Sequence, residues 1–141
     1  MKNKRSGFTL MEVVIVLAVI AILGAVIVPS FMGYTERARL RTDIQSARTV
    51  QNAMDLYKAE VGRDVASDIT SSSTGNTAEE KIINHLTGAG YLDGSPRLQT
   101  SEAVWEYIDA TKKMCINIAD CTSSFIRNMQ FSEQERPFVI N

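Results

Sequence analysis

Apolar and polar positions divide the chain into two regimes. From Phe8 to Met32 the only ionisable residue is Glu12, and Val13 to Val28 (VVIVLAVIAILGAVIV) is apolar without interruption. These 25 residues span ~37 Å as a helix, enough to cross a ~30 Å hydrocarbon core with some tilt. A helix apolar on every side has to be buried on every side. From Ser30 the pattern changes. Leu40, Ile44, Ala47, Val50, Met54, Tyr57 and Val61 recur at steps of three and four, with Arg37, Arg39, Asp43, Gln45, Asn52, Asp55 and Lys58 mostly off that stripe. This is an amphipathic helix, and Gly62 is its predicted stop. Phe8 to Val61 is thus predicted as one nearly continuous helix. Pro29 lacks an N–H and clashes with the preceding turn, so a kink or local unwinding is expected around Gly24 to Pro29.

Beyond Gly62 the elements are short. Arg63 to Thr77 is rich in Ser, Thr, Asp and Gly and reads as an exposed loop. Thr77-Ala78-Glu79-Glu80 has capping-box spacing, and Ile82, Ile83 and Leu86 supply the apolar face of a second short helix that ends at Gly88 or Gly90. Val104 to Ile108 and Met114 to Ile118 alternate as strands around an Asp109–Lys113 loop, and Phe138-Val139-Ile140 is a candidate third strand. A small antiparallel sheet laid on the amphipathic stripe would bury both apolar faces, giving an α+β head.

Composition narrows the function. The net charge of −1 argues against a nucleic-acid-binding domain held by bulk charge. Arg37, Arg39, Arg41 and Arg48 are better read as a solvated or ion-paired face than as a site for lipid phosphate or DNA. His85 has no neighbouring Cys or second His, so neither a triad nor a metal site is supported. Asp109, Asp120, Glu133 and Glu135 do not form a calcium loop, and no cofactor is expected. Trp105 reads as a core or sheet-face residue. Cys115 and Cys121 are compatible with one disulfide or with two free thiols. Nothing in the chain suggests an enzyme.

Charge also orients the apolar segment. Met1 to Gly7 (MKNKRSG) carries Lys2, Lys4, Arg5 and the amino terminus, which favours an N-terminus on the cytoplasmic side. A carboxylate in such a segment is costly and usually has a partner and a function. Cutting before Phe8 would create one, since an amine at Phe8 lies four residues from Glu12, in the same chain or in a neighbouring one.

Gly7-Phe8-Thr9-Leu10-Met11-Glu12, behind a short basic leader and ahead of a long apolar run, resembles the processing motif of type IV pilins and of the pseudopilins of type II secretion and competence machines. The close resemblance covers roughly Arg5 to Gly62. It implies the type IV pilin fold, with residues 1–7 as a cleaved leader, 8–32 as a membrane-spanning or filament-core helix, 33–62 as the amphipathic half of the spine and 63–141 as the head. It implies cleavage between Gly7 and Phe8 by a prepilin peptidase that also N-methylates Phe8, and a role for Glu12 in subunit register. Pro29 falls where many members carry a proline. The expected partners are further copies of the chain in a helical filament, the peptidase, an inner-membrane assembly platform with its ATPase, membrane lipid before assembly, and a DNA or host-surface ligand of the head. The expected location is a single pass in the bacterial cytoplasmic membrane, then the cell surface. A pilus subunit serving adhesion or motility is the first reading. A pseudopilin, or a minor pilin with a binding head, is the alternative. The chain departs from the major pseudopilins, because Arg97-Leu98-Gln99 follows Pro96 in place of an Asp-Pro-Trp-Gly motif. Pilins often have a disulfide-bounded C-terminal region, but the Cys115–Cys121 spacing is much shorter than theirs.

Overall fold

The computed structural model describes residues 8–140, so Gly7 and the rest of the leader lie outside the described residues. The element order is helix α1 (Leu10–Val61), a 3-10 turn at Val65–Ser67, helix α2 (Ala78–Gly88), strands β1 (Val104–Ile108) and β2 (Lys113–Asn117), a short helix α3 (Ser124–Arg127), a second 3-10 turn at Arg136–Phe138, and strand β3 (Val139–Ile140). Packing divides the chain into two units, one up to Thr35 and one from Glu36 onward. Helix α1 contributes to both.

In the first unit, α1 carries an apolar segment, Leu10–Val28, long enough to cross a membrane, and none of it is buried by the described residues. The helix is unbroken through Gly24–Pro29, where local unwinding was expected.

In the second unit, α1 supplies the core. Leu40, Ile44, Ala47, Val50, Met54 and Tyr57 are all buried, and the stripe ends there because Val61 is exposed. Gly62, at φ +81°, closes the helix by donating its N–H to the Lys58 carbonyl. The stripe feeds two apolar clusters. Val50 to Tyr57 pack with Val65, with Ile82, Ile83 and Leu86 of α2, and with Met114 of β2. Leu40, Ile44 and Ala47 pack with Ile116, Ile118, Cys121, Ile126 and Met129. Trp105 touches both clusters, as a sheet-face residue should.

Helix α2 begins as its sequence dictates. The Thr77 hydroxyl accepts the Glu80 N–H at 3.2 Å, while Glu80 reaches back to the Asn76 N–H at 2.8 Å. It ends in a Schellman turn, with Gly90 at φ +83°, Gly90 N–H donating to Thr87 and Tyr91 N–H donating to Leu86. The Tyr91 ring then meets Tyr57 edge-on at 5.3 Å.

The sheet is mixed, which corrects the expected antiparallel one. β1 and β2 pair antiparallel from Val104↔Asn117 to Ile108↔Lys113, but β3 runs parallel to β2 through Ile116↔Val139 and Asn117↔Ile140. A parallel neighbour needs a crossover, and the chain from Ile118 to Phe138, including α3, supplies it.

Of the two alternatives left open for the cysteines, the structure has the free thiols. Cys115 and Cys121 are free and buried. Met114 and Ile116 face α1, so Cys115 between them points to the other side of the sheet, where its thiol contacts the Pro137 carbonyl at 3.3 Å. Cys121 lies in the α1-facing cluster, with its thiol 3.4 Å from the Ser101 carbonyl. Burial pushes both thiols up in pKa. Both thiols are therefore expected to react with a thiol reagent only after denaturation, without prior reduction. A chain that shows no free thiol when denatured in the absence of reductant would contradict this.

Asp43, expected off the stripe, is fully buried. Its two carboxylate oxygens accept the backbone N–H groups of Gln99 at 2.9 Å and Thr100 at 2.8 Å, which ties the approach to β1 onto α1. Asp43→Ala orphans both donors and is expected to cost about 3 kcal/mol, read by urea unfolding followed at the fluorescence of the single tryptophan, Trp105. A loss below about 1 kcal/mol would show that the clamp is dispensable.

Candidate functional site

The first turn of α1 brings Thr9 and Glu12 together. Glu12 Oε2 accepts the Thr9 backbone N–H and the Thr9 hydroxyl, each at 2.9 Å, while the Thr9 oxygen in turn accepts the Glu12 N–H at 3.3 Å. This is a reciprocal capping box. Sequence reasoning identified that pattern at Thr77–Glu80 and missed it at Thr9–Glu12, although the Thr-x-x-Glu spacing is the same. The geometry gives the carboxylate a local use in the single chain. Only Oε2 is engaged among the described residues, and the Phe8 nitrogen is not among its donors. Phe8 is 85% exposed and precedes the helix.

Behind this turn the helix presents side chains to nothing of its own. Val13 to Leu17, Ile20, Ile22, Leu23 and Val26 to Val28 are about half exposed or more. Gly24 has open space where a Cβ would stand. Small residues at helical spacing, Ala18, Ala21, Gly24 and Ala25, allow another helix to approach closely. The site therefore combines an uncovered apolar surface with one carboxylate at its start.

The other candidate residues do not converge on a second centre. The arginine cluster is partly dismantled: Arg41 lies 4.0 Å from Glu135, and Arg48 donates to the Gln134 carbonyl at 2.8 Å while covering the Phe138 ring. Arg48 thus pins the C-terminal segment to α1. Glu135 accepts the Ser132 N–H and hydroxyl, which with Arg41 holds its carboxyl below the usual range, and Asp109 pairs with Lys112. His85 is half-buried, 3.3 Å from the Tyr57 hydroxyl, which donates to Asp68. Arg63 binds the same carboxylate at 2.7 Å, and with Tyr57 it holds the Asp68 pKa low. That chain of contacts ties the loop after α1 to α2.

A family model described as "Prokaryotic N-terminal methylation motif" matches residues 2–28. The chain is 37% identical over 62 residues to the type II secretion system core protein G of Aeromonas hydrophila, covering 44% of this chain and 43% of that protein. It is 34% identical over 77 residues to the prepilin peptidase-dependent protein A of Clostridium perfringens (53% and 55%), and 28% identical over 109 residues to the fimbrial protein Q of Moraxella bovis (66% and 69%). The matched stretch spans less than half of the Aeromonas protein and just over half of the Clostridium one. No solved structure matches. The chain thus carries the N-terminal methylation motif of prokaryotic prepilin-like proteins on an α+β, pilin-like fold.

Thr9→Ala removes the hydroxyl from the capping box and is expected to cost the first turn about 1 kcal/mol, or about fivefold faster amide exchange at Glu12. Unchanged exchange would mean that the box contributes nothing to the start of the helix.

Proposed function

We propose that this chain is a structural subunit that is cut between Gly7 and Phe8, N-methylated at Phe8, held in the cytoplasmic membrane by Leu10–Val28, and then polymerised through that helix into a filament. The observation that carries the reading is the pairing of one carboxylate, Glu12, with an apolar helix surface that its own chain leaves uncovered. Lipid covers that surface before assembly, and like helices cover it afterwards. Cleavage gives Phe8 an amine. Glu12 then has a cation to neutralise, in its own chain or at the correct axial offset in a neighbour, and in low dielectric such a pair sets register. The free oxygen of Glu12 leaves it able to take this partner while Oε2 still caps the helix. The peptidase, the assembly platform and its ATPase are the partners this route requires. A kink at Pro29 would let the apolar half adapt to the packed core.

Two filaments fit. The fimbrial relative favours a type IV pilus subunit, with the head setting surface chemistry for adhesion or motility. The type II secretion relatives favour a pseudopilin at least as strongly. The role is structural in both, with a binding head as the minor-pilin variant.

The mature protein is expected to have a mass that begins at Phe8 and includes one added methyl group. An N-terminus at Met1 would overturn the processing step. Glu12→Ala is expected to lower the yield of sheared fibres at least about tenfold, and fibres of normal length and yield would contradict the register role. Long surface fibres in the wild type mark a pilus. Loss of a protein from the medium on deletion, without such fibres, marks a pseudopilus.

A further inference from the structure

Strand β1 has a neighbour on one side only, because the sheet order is β1-β2-β3. The hydrogen bonds around it show which backbone groups face the open edge. Tyr107 donates its N–H to Glu79 Oε1 at 3.2 Å, and Met114, its partner across the ladder, donates its own N–H to Gln51 Oε1 at 3.1 Å. Tyr107↔Met114 is therefore a non-hydrogen-bonded pair of the antiparallel ladder, and so is Trp105↔Ile116 two residues away. The N–H and C=O of Trp105 thus point out of the sheet edge, as those of Tyr107 do. At Tyr107 the Glu79 carboxylate stands where the carbonyl of a further strand would. At Trp105 neither backbone group has a hydrogen bond among the described residues. Unpaired main-chain groups of this kind are a template for another extended chain.

These groups border a groove of about 480 Å³ between β1, α2 and residues 95–98. Ile83, Leu98, Val104 and Trp105 give it apolar walls, and Val104 is 54% exposed. Two charged residues line it. Glu80 is engaged at the start of α2, where its Oε2 accepts the Asn76 N–H and the helix terminus favours a carboxylate. Arg97 is exposed and has neither a hydrogen bond nor an ion pair among the described residues. The charge left to be answered is positive. We propose that this groove takes an extended, acidic segment of a partner protein. The segment adds to the edge of β1 through the Trp105 N–H and C=O, lays an apolar side chain against Ile83 and Leu98, and sets a carboxylate on Arg97. A second copy of this chain fits less well, since a second β1 would bring its own Glu79 and Glu80 to the same edge. The groove lies wholly in the unit from Glu36 onward, so its occupant does not depend on leader cleavage or polymerisation.

The test uses the full chain in detergent micelles and a blocked peptide, acetyl-Val-Thr-Val-Glu-Val-amide, since edge pairing reads backbone more than sequence. One analogue carries Gln in place of Glu, and another is N-methylated at every residue. The parent peptide is expected to shift the emission of Trp105, the single tryptophan, saturably. At saturation it slows exchange of the Trp105 amide at least about tenfold, while the Glu106 amide, which faces β2, keeps its rate. The Gln analogue is expected to bind about fivefold more weakly, and the N-methylated one not at all. Arg97→Gln removes the difference between the Glu and Gln peptides, and Arg127→Gln, equal in charge but outside the groove, preserves it. Both arginines are exposed, so neither variant threatens the fold. No saturable change with the parent peptide, equal binding of the N-methylated form, or equal effects of the two arginine variants overturns the site. Protection of the Trp105 amide that rises with protein concentration in the absence of peptide identifies a second copy as the occupant and overturns the partner.

Discussion

An apolar helix surface has to be removed from water, and the described residues offer nothing that covers the apolar half of α1. From Leu10 to Val28 the side chains face outward all round. The hydrophobic effect grows with apolar area, so the segment demands a nonpolar environment supplied from outside, either lipid or other helices of the same kind. That demand explains the small residues at Ala18, Ala21, Gly24 and Ala25, which cost little in lipid and allow close approach in a bundle. It also makes Glu12 conspicuous. A carboxylate at the start of such a segment is tolerated because Thr9 satisfies one of its oxygens in the single chain, and on the proposed route a new amine at Phe8 satisfies the rest.

The second half of α1 answers the same demand internally. Its stripe is covered by α2 on one stretch and by β2, α3 and their flanking loops on the next. Polar ties then fix what packing alone leaves loose. Asp43 holds the strand approach at Gln99 and Thr100, Arg48 holds the C-terminal segment, and the Tyr57–Asp68–Arg63 contacts hold the loop after the helix. A head secured at this many points along one helix can vary its loops without loosening its attachment to α1, which suits a filament whose surface chemistry is carried by the head.

Much of this was legible in the sequence, and what was missed has physical reasons. The uninterrupted apolar run, the stripe from Leu40 to Tyr57, the Thr77 cap and the β1–β2 hairpin follow from periodicity and turn chemistry. Asp43 was misplaced because its charge suggested solvent. Its spacing, three after Leu40 and four before Ala47, puts it on the buried face, where only the distant backbone of residues 99–100 makes it tolerable. The parallel β3 was hidden because two residues carry no periodicity and their partner is fixed by a long crossover. The cysteines were ambiguous because spacing says nothing about sheet faces; the alternation along β2 separates them. At the candidate site, Gly7, Phe8 and Glu12 were legible as a motif, while the Thr9–Glu12 box was overlooked beside the stronger signal of the motif itself.

The central claim of the proposed route is that a Phe8 amine answers the carboxylate of Glu12 once the leader is gone, and that in the filament this amine belongs to a neighbouring subunit. Filaments assembled from a mixture of two pools, one labelled with ¹⁵N at the Phe8 amine and the other with ¹³C at the Glu12 carboxyl, test it by through-space solid-state NMR. A nitrogen–carboxyl cross-peak, which in this mixture arises only between subunits, is the predicted result. Its absence from well-ordered filaments, with the Thr9–Glu12 contact still present within each chain, would contradict the account.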